Sequence, residues 1–87
     1  MHHVRLYSAS GCHLCEAARS VLEQVRAEIP FELQETDIGV DPELERRYRD
    51  RIPVVAVDGV EAFTYFVHPG GLRRRLEAQS QHDSRAS

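Results

Sequence analysis

Apolar and polar residues alternate from His3 to Ser8, with Val4 and Leu6 set against His3 and Arg5, and so short a run predicts a strand. Ser8-Ala9-Ser10-Gly11 then makes a turn in which Ser10 or Gly11 can cap the next element. From Cys12 onward the apolar positions are Leu14, Ala17, Ala18, Val21, Leu22, Val25 and Ile29. That spacing of three and four is the strongest pattern in the chain and predicts an amphipathic helix. Glu16, Arg19, Glu23 and Arg26 fall on its solvated side, and Pro30 ends it. Alternation returns from Phe31 to Asp37, a second strand. Asp41-Pro42-Glu43 combines a cap, a first-position proline and a first-turn acid, so a short helix is expected to about Arg49. Its expected inner face is Leu44 and Tyr48, with Glu43–Arg47 and Glu45–Arg49 pairs outside. Val54 to Val57 is a continuous apolar run, the mark of a buried strand. Asp58-Gly59 signals a type I′ hairpin, and Val60 to Phe66 is its returning strand. After His68-Pro69-Gly70-Gly71 a final helix is expected over Leu72 to Gln79, with Leu72 and Leu76 inward. Ser80 to Ser87 is polar and expected to fray.

The order is therefore βαβαββα. The first strand, helix and strand form a right-handed crossover with parallel strands, and the hairpin adds antiparallel ones. The predicted class is α/β, with three helices to cover the two faces of the sheet.

The length of 87 residues limits the chain to one domain and excludes an active site built between two. No apolar run reaches 18 residues, so no membrane span is expected. The start, Met1-His2-His3-Val4-Arg5, has no apolar signal core, and the expected location is cytoplasmic. The net charge is −3, every basic residue is an arginine, and no partner of the nucleic-acid or anionic-lipid kind is implied. Charge is uneven, with three arginines against eight acids in residues 1–43 and eight against six thereafter. Arg73-Arg74-Arg75 lacks interleaved aromatics and reads as a solvated face.

The candidate chemistry lies in two cysteines, Cys12 and Cys15, three apart at a strand-to-helix junction. Two thiols are too few for a disulfide-stapled scaffold. A helix start presents free N–H groups and a partial positive charge, which favour thiolate over thiol. One turn brings the two sulfurs onto one face, where they can close a disulfide. Cys12, nearer the helix start, is the expected nucleophile and Cys15 the resolving thiol of an exchange reaction. Half of a zinc site and a pair of inert buried thiols are the other readings of the same spacing. Zinc would need two further ligands, whereas His2, His3, His68 and His82 are scattered. His13, between the cysteines, would favour a neighbouring thiolate as imidazolium, or simply face water.

Leu6-Tyr7-Ser8-Ala9-Ser10-Gly11-Cys12-His13-Leu14-Cys15, Arg51-Ile52-Pro53-Val54-Val55 and Val57-Asp58-Gly59 together resemble the glutaredoxin branch of the thioredoxin superfamily. The match is nearest to small bacterial glutaredoxin-like proteins and covers about residues 3 to 79 in order and spacing. The resemblance implies a four-stranded mixed sheet with helices on both faces, a domain over 1–79 and a polar tail over 80–87. It implies a cis Ile52–Pro53 bond, which sequence alone would not, because only ~5–6% of X–Pro bonds are cis. It implies that the backbone before this proline pairs with an extended substrate or glutathione. Cys12 and Cys15 become the catalytic pair, and His13, Arg51, Ile52 and Pro53 the substrate-binding candidates. No metal ligands and no bound cofactor are implied. Glutathione or a thioredoxin-reductase system is the expected electron donor. The expected partner is a disulfide-containing protein or a glutathione mixed disulfide, met by a monomer.

This sequence departs from the family pattern at His13 and Leu14, where proline and an aromatic are usual, and at Arg51, where a small residue is usual. Gly70-Gly71 is followed by Leu72 and Arg73 rather than acids. The expected activity is thiol–disulfide oxidoreduction. The alternatives are a zinc or iron–sulfur module and a redox-sensing adaptor without turnover.

Overall fold

The computed structural model describes the backbone of residues 1–86 and the side chains of residues 1–78. In chain order the elements are β1 (His2–Ser8), α1 (His13–Glu28), β2 (Phe31–Asp37), a 3-10 turn (Ile38–Val40), α2 (Pro42–Tyr48), β3 (Val54–Val57), β4 (Val60–Thr64) and α3 (Pro69–Ala86). The sheet order is β2-β1-β3-β4. β1 and β2 are parallel, with His2 opposite Phe31 and Ser8 opposite Asp37. β1 with β3, and β3 with β4, are antiparallel. This is the expected α/β thioredoxin-like topology.

Strand alternation sends Val4 and Leu6 to one face of the sheet and Tyr7 to the other. The first face packs with Val55 and Val57 against Ala18, Leu22 and Val25 of α1 and Leu72 and Leu76 of α3. The second carries a smaller cluster, Ile38, Tyr48 and Val54, bordered by Tyr7, Leu44 and Ile52. There Tyr7 stacks on Tyr48 with ring centroids 4.4 Å apart.

The buried line of α1 is Cys15, Ala18, Leu22 and Val25, while Leu14 and Ala17 of the expected stripe are exposed. The stripe is wider than the sheet it faces, and its Leu14 edge turns toward the segment after β4. α2 starts as expected, with the Asp41 side chain accepting the Glu43 N–H at 2.9 Å. Its surface pairs differ from expectation. Glu43 takes Arg46 at 3.1 Å, because Arg47 leans over the Tyr48 ring toward Glu61. α3 begins at Pro69, a first-turn proline, rather than at Leu72. It runs through Ala86, past the expected end at Gln79, since no glycine or proline interrupts that stretch.

β4 contains the main irregularity. Val55 faces Phe63, but Ala56 faces Glu61, so Ala62 is an extra residue in the ladder. The bulge turns Glu61 onto the α2 face, where its carboxylate accepts the Tyr48 hydroxyl at 3.0 Å and Arg51 Nη1 at 3.3 Å. Burial, followed by the bond to Glu61, pushes the Tyr48 phenol up to about 12. β4 then stops at Thr64 rather than Phe66, because Tyr65 takes a left-handed φ of 65°.

The hairpin between β3 and β4 has Asp58 at φ 51° and Gly59 at φ 86°, the two positive values of a type I′ turn. The Asp58 carboxylate accepts the His3 amide at 2.8 Å and pairs with His2 Nδ1 at 2.7 Å. Burial raises its pKa, but the bonds from His3 and His2 together outweigh this and hold the carboxyl below its ordinary value. A depressed folded-state pKa stabilises the protein above the unfolded value of ~4 and loses that contribution as pH falls through the native one. Asp58→Asn keeps a residue tolerant of positive φ and removes the charge. Urea unfolding should therefore show the variant about 1 kcal/mol less stable at pH 7. The gap should close as pH falls through the depressed native value, and a gap independent of pH would contradict this account.

Candidate functional site

Strand β1 delivers the chain to a turn closed by the Cys12 amide on the Ala9 carbonyl at 3.4 Å. Gly11 sits inside it at φ 74°, a conformation that a Cβ disfavours. The turn leaves Cys12 as the N-cap of α1, extended at φ −89° and ψ 111°, and its Sγ accepts the Cys15 N–H at 3.2 Å. A sulfur thus occupies the place of the usual capping oxygen. Cys12 and Cys15 form a disulfide with their Cα atoms 5.2 Å apart. Cys15 is 1% exposed on the core-facing line of α1, whereas Cys12 is partly open to solvent. In the reduced protein the helix start and the Cys15 amide both favour a thiolate at Cys12.

The helix is fastened to the sheet close to this pair. Ser8, buried at the end of β1, donates to Glu35 of β2 at 2.8 Å, and Arg19 of α1 grips the same carboxylate at 2.7 Å. The Arg19 hydrogen bond holds the Glu35 carboxyl below the usual range.

The Ile52–Pro53 bond is cis. Pro53 is buried, and Ile52, like Tyr7 and the Ala9 of the cysteine turn, packs against the cluster of Ile38, Tyr48 and Val54. Beside Ile52 lies a groove lined by Ala9, Ser10, Ile38 and Val40 and by the charged residues Asp37, Glu45 and Arg49.

The remaining sequence candidates lie as follows. His13 has a 96% exposed side chain that faces Glu16 at 3.8 Å. The Arg51 guanidinium points along the sheet to Glu61 and to the Arg47 carbonyl at 3.2 Å, leaving its backbone at the proline loop. Arg49, expected from sequence to pair with Glu45 on the outside of α2, lines the groove together with it. Sequence reasoning missed Tyr65 and Phe66, which with Leu14 form an exposed apolar rim beside the cysteine turn. The Tyr-Phe pair continued the apolar run of β4 and so read as strand. It also missed the Ile38–Val40 turn, although Asp37-Ile38-Gly39 signals one, and the Asp37 side chain accepts the Gly39 amide at 2.8 Å.

A cysteine pair opening the first helix, a cis-proline loop that lines one groove with the turn before that pair, and a β2-β1-β3-β4 sheet define a dithiol protein of thioredoxin fold. The chain belongs to the glutaredoxin-like domain family (DUF836), whose model matches residues 3–77. It is 32% identical over 63 residues to the uncharacterized protein Rv0508 of Mycobacterium tuberculosis, a match covering 67% of this chain and 65% of that protein. The solution structure of protein Ne2328 from Nitrosomonas europaea superposes with a TM-score of 0.75 at 29% identity, covering 85% of this chain and 89% of that one. A thioredoxin from Halobacterium salinarum, 17% identical, gives a TM-score of 0.66 over 88% of this chain and 73% of its own, a likeness of fold. Family and cysteine geometry together support a redox thiol function.

Proposed function

We propose that the chain is a thiol–disulfide oxidoreductase. One observation carries this reading: the partly exposed sulfur of the pair is the one at the helix start, and its partner is buried one turn inward. The Cys12 thiolate attacks a substrate disulfide, forming a mixed disulfide and releasing one substrate thiolate. The Cys15 thiolate then attacks Cys12 Sγ and releases the second. The substrate gains two electrons, and the pair is left as the Cys12–Cys15 disulfide. Glutathione or a thioredoxin-reductase system returns it to the dithiol.

The backbone at Arg51 and Ile52 is the proposed strand-like contact for the substrate, with Pro53 packed beneath. The groove beside Ile52 gives an extended chain a path, and Arg49 offers a guanidinium for a carboxylate. The exposed His13 side chain is the further proposed substrate contact. The substrate is a protein disulfide or a glutathione mixed disulfide, and the protein acts as a cytoplasmic monomer. Among the described residues no helix is long and apolar enough to cross a membrane.

The test is turnover of a protein disulfide side by side with the glutathione and thioredoxin-reductase systems, together with the pH dependence of Cys12 alkylation in a Cys15→Ala variant. Turnover with at least one system is expected, with alkylation titrating below the ordinary thiol value of ~8.5. No turnover with either, and a normal or raised titration midpoint, would sink the proposal. Stoichiometric metal in anaerobically purified protein would favour a zinc or iron–sulfur module instead.

A further inference from the structure

Tyr65 carries a backbone conformation that a bulky residue seldom adopts, φ 65°. The turn around it is closed by the Phe66 amide on the Thr64 carbonyl at 2.7 Å. A positive φ at the centre of a three-residue turn is the rarer, strained hand of the γ-turn. Glycine would take this position without strain. Strain of this kind persists only where the surroundings over-determine it, and here the surroundings are the proline loop.

Tyr65 grips that loop at both ends. Its backbone N–H donates to the Pro53 carbonyl at 2.9 Å, and its hydroxyl donates to the Asp50 carbonyl at 2.7 Å. The two acceptors bracket Arg51 and Ile52. The kink lets one residue make both bonds, since it ends the strand at the Pro53 contact while the ring reaches back to Asp50. On its other side the loop is tied by Arg51 to Glu61. The Tyr65 side chain also borders the small hollow beside Leu14 of the cysteine turn. Being 47% exposed, it gains little from burial to offset the strain.

We propose that Tyr65 is a positioning residue for substrate: it holds the Arg51–Ile52 backbone at a fixed distance and angle from Cys12. This rests on the exchange function proposed above. A rigid loop loses less freedom when it binds, so loosening it weakens substrate capture without altering the Cys12 thiolate.

The experiment uses the full chain with Cys15→Ala, which stops the reaction at the mixed disulfide. Two rates are read at one pH: mixed-disulfide formation with insulin, which needs the loop, and alkylation of Cys12 by iodoacetamide, which does not. Adding Tyr65→Phe should slow the insulin reaction about fivefold, the factor matching one neutral hydrogen bond of about 1 kcal/mol. The iodoacetamide rate should be unchanged. Tyr65→Gly, with the backbone relaxed and the hydroxyl gone, should lose at least as much.

Unchanged insulin rates in both variants would overturn the role of Tyr65 and leave the exchange function standing. Equal losses in the two rates would also overturn it, because Tyr65 would then be acting on Cys12 or on the fold. A Cys15→Ala parent that forms no mixed disulfide would defeat the exchange function itself, and the inference with it.

Discussion

Cys12→Ser should abolish disulfide exchange, while Cys15→Ala should give one round of attack and then a trapped mixed disulfide. The two variants separate nucleophile from resolving thiol because the cysteines occupy different environments. Cys12 is partly exposed and caps α1, and serine is a strong capping residue. Its hydroxyl can accept the Cys15 amide in place of sulfur, so the variant loses chemistry and keeps its helix. A serine hydroxyl at the neutral pH of the assay supplies essentially no anion to attack sulfur, so loss to the background rate is expected. At Cys15 alanine is the better replacement, since the site is apolar and closed and a serine would bury a hydroxyl at a cost of ~1–3 kcal/mol. Mass spectrometry after mixing with a disulfide peptide checks both expectations. An adduct on Cys12→Ser through Cys15, or free turnover by Cys15→Ala, would reverse the assignment.

Leu22→Ala should cost about 2–5 kcal/mol of stability. Leu22 has no exposed surface and lies in the cluster that joins α1 to β1, β3 and α3. The loss has two parts, the transfer energy of the deleted atoms and the cavity that neighbours such as Val4, Leu6 and Leu72 cannot close. Domains of this kind have total stabilities of about 5–15 kcal/mol, so a single substitution removes a large share. The thermal midpoint should fall by roughly 8–40 °C, given ~4–8 °C per kcal/mol in a chain of this size. Leu14→Ala is the control, because Leu14 is 43% exposed and its loss should stay within ~0.5 kcal/mol. Comparable losses at the two positions would show that the buried line of α1 is misplaced.

Much of the fold was legible along the chain because its signals are local. The alternation at Val4 and Leu6, the cap at Asp41-Pro42 and the turn at Asp58-Gly59 each act within a few residues, and β2 matches its expected limits at Phe31 and Asp37. The cysteine pair was legible for the same reason: one helical turn fixes its geometry. What stayed hidden depends on partners far away in sequence. The bulge at Ala62 is a mismatch between two strands and leaves no mark on either alone. The direction of Arg51 depends in part on that bulge, which turns Glu61 onto the α2 face where it accepts the guanidinium. Tyr65 is hidden most deeply, because a β-favouring residue occupies a position where glycine would have signalled a turn. The cis bond before Pro53 came from family resemblance, there being nothing in the Ile-Pro dipeptide to announce it.

Cys12 is both the proposed nucleophile of the pair and the cap of α1, and these roles are thermodynamically linked. A thiolate accepts the Cys15 amide more strongly than a disulfide sulfur does, because charge strengthens the bond. Reduction therefore tightens the start of α1, and whatever stabilises the thiolate-capped start more than the disulfide-capped one favours reduction. Helix stability and electron affinity become one quantity seen from two sides. Substitutions in the first turn, at His13, Leu14 or Glu16, act on both together, and the helix serves as the means by which the fold sets how readily its cysteines accept electrons.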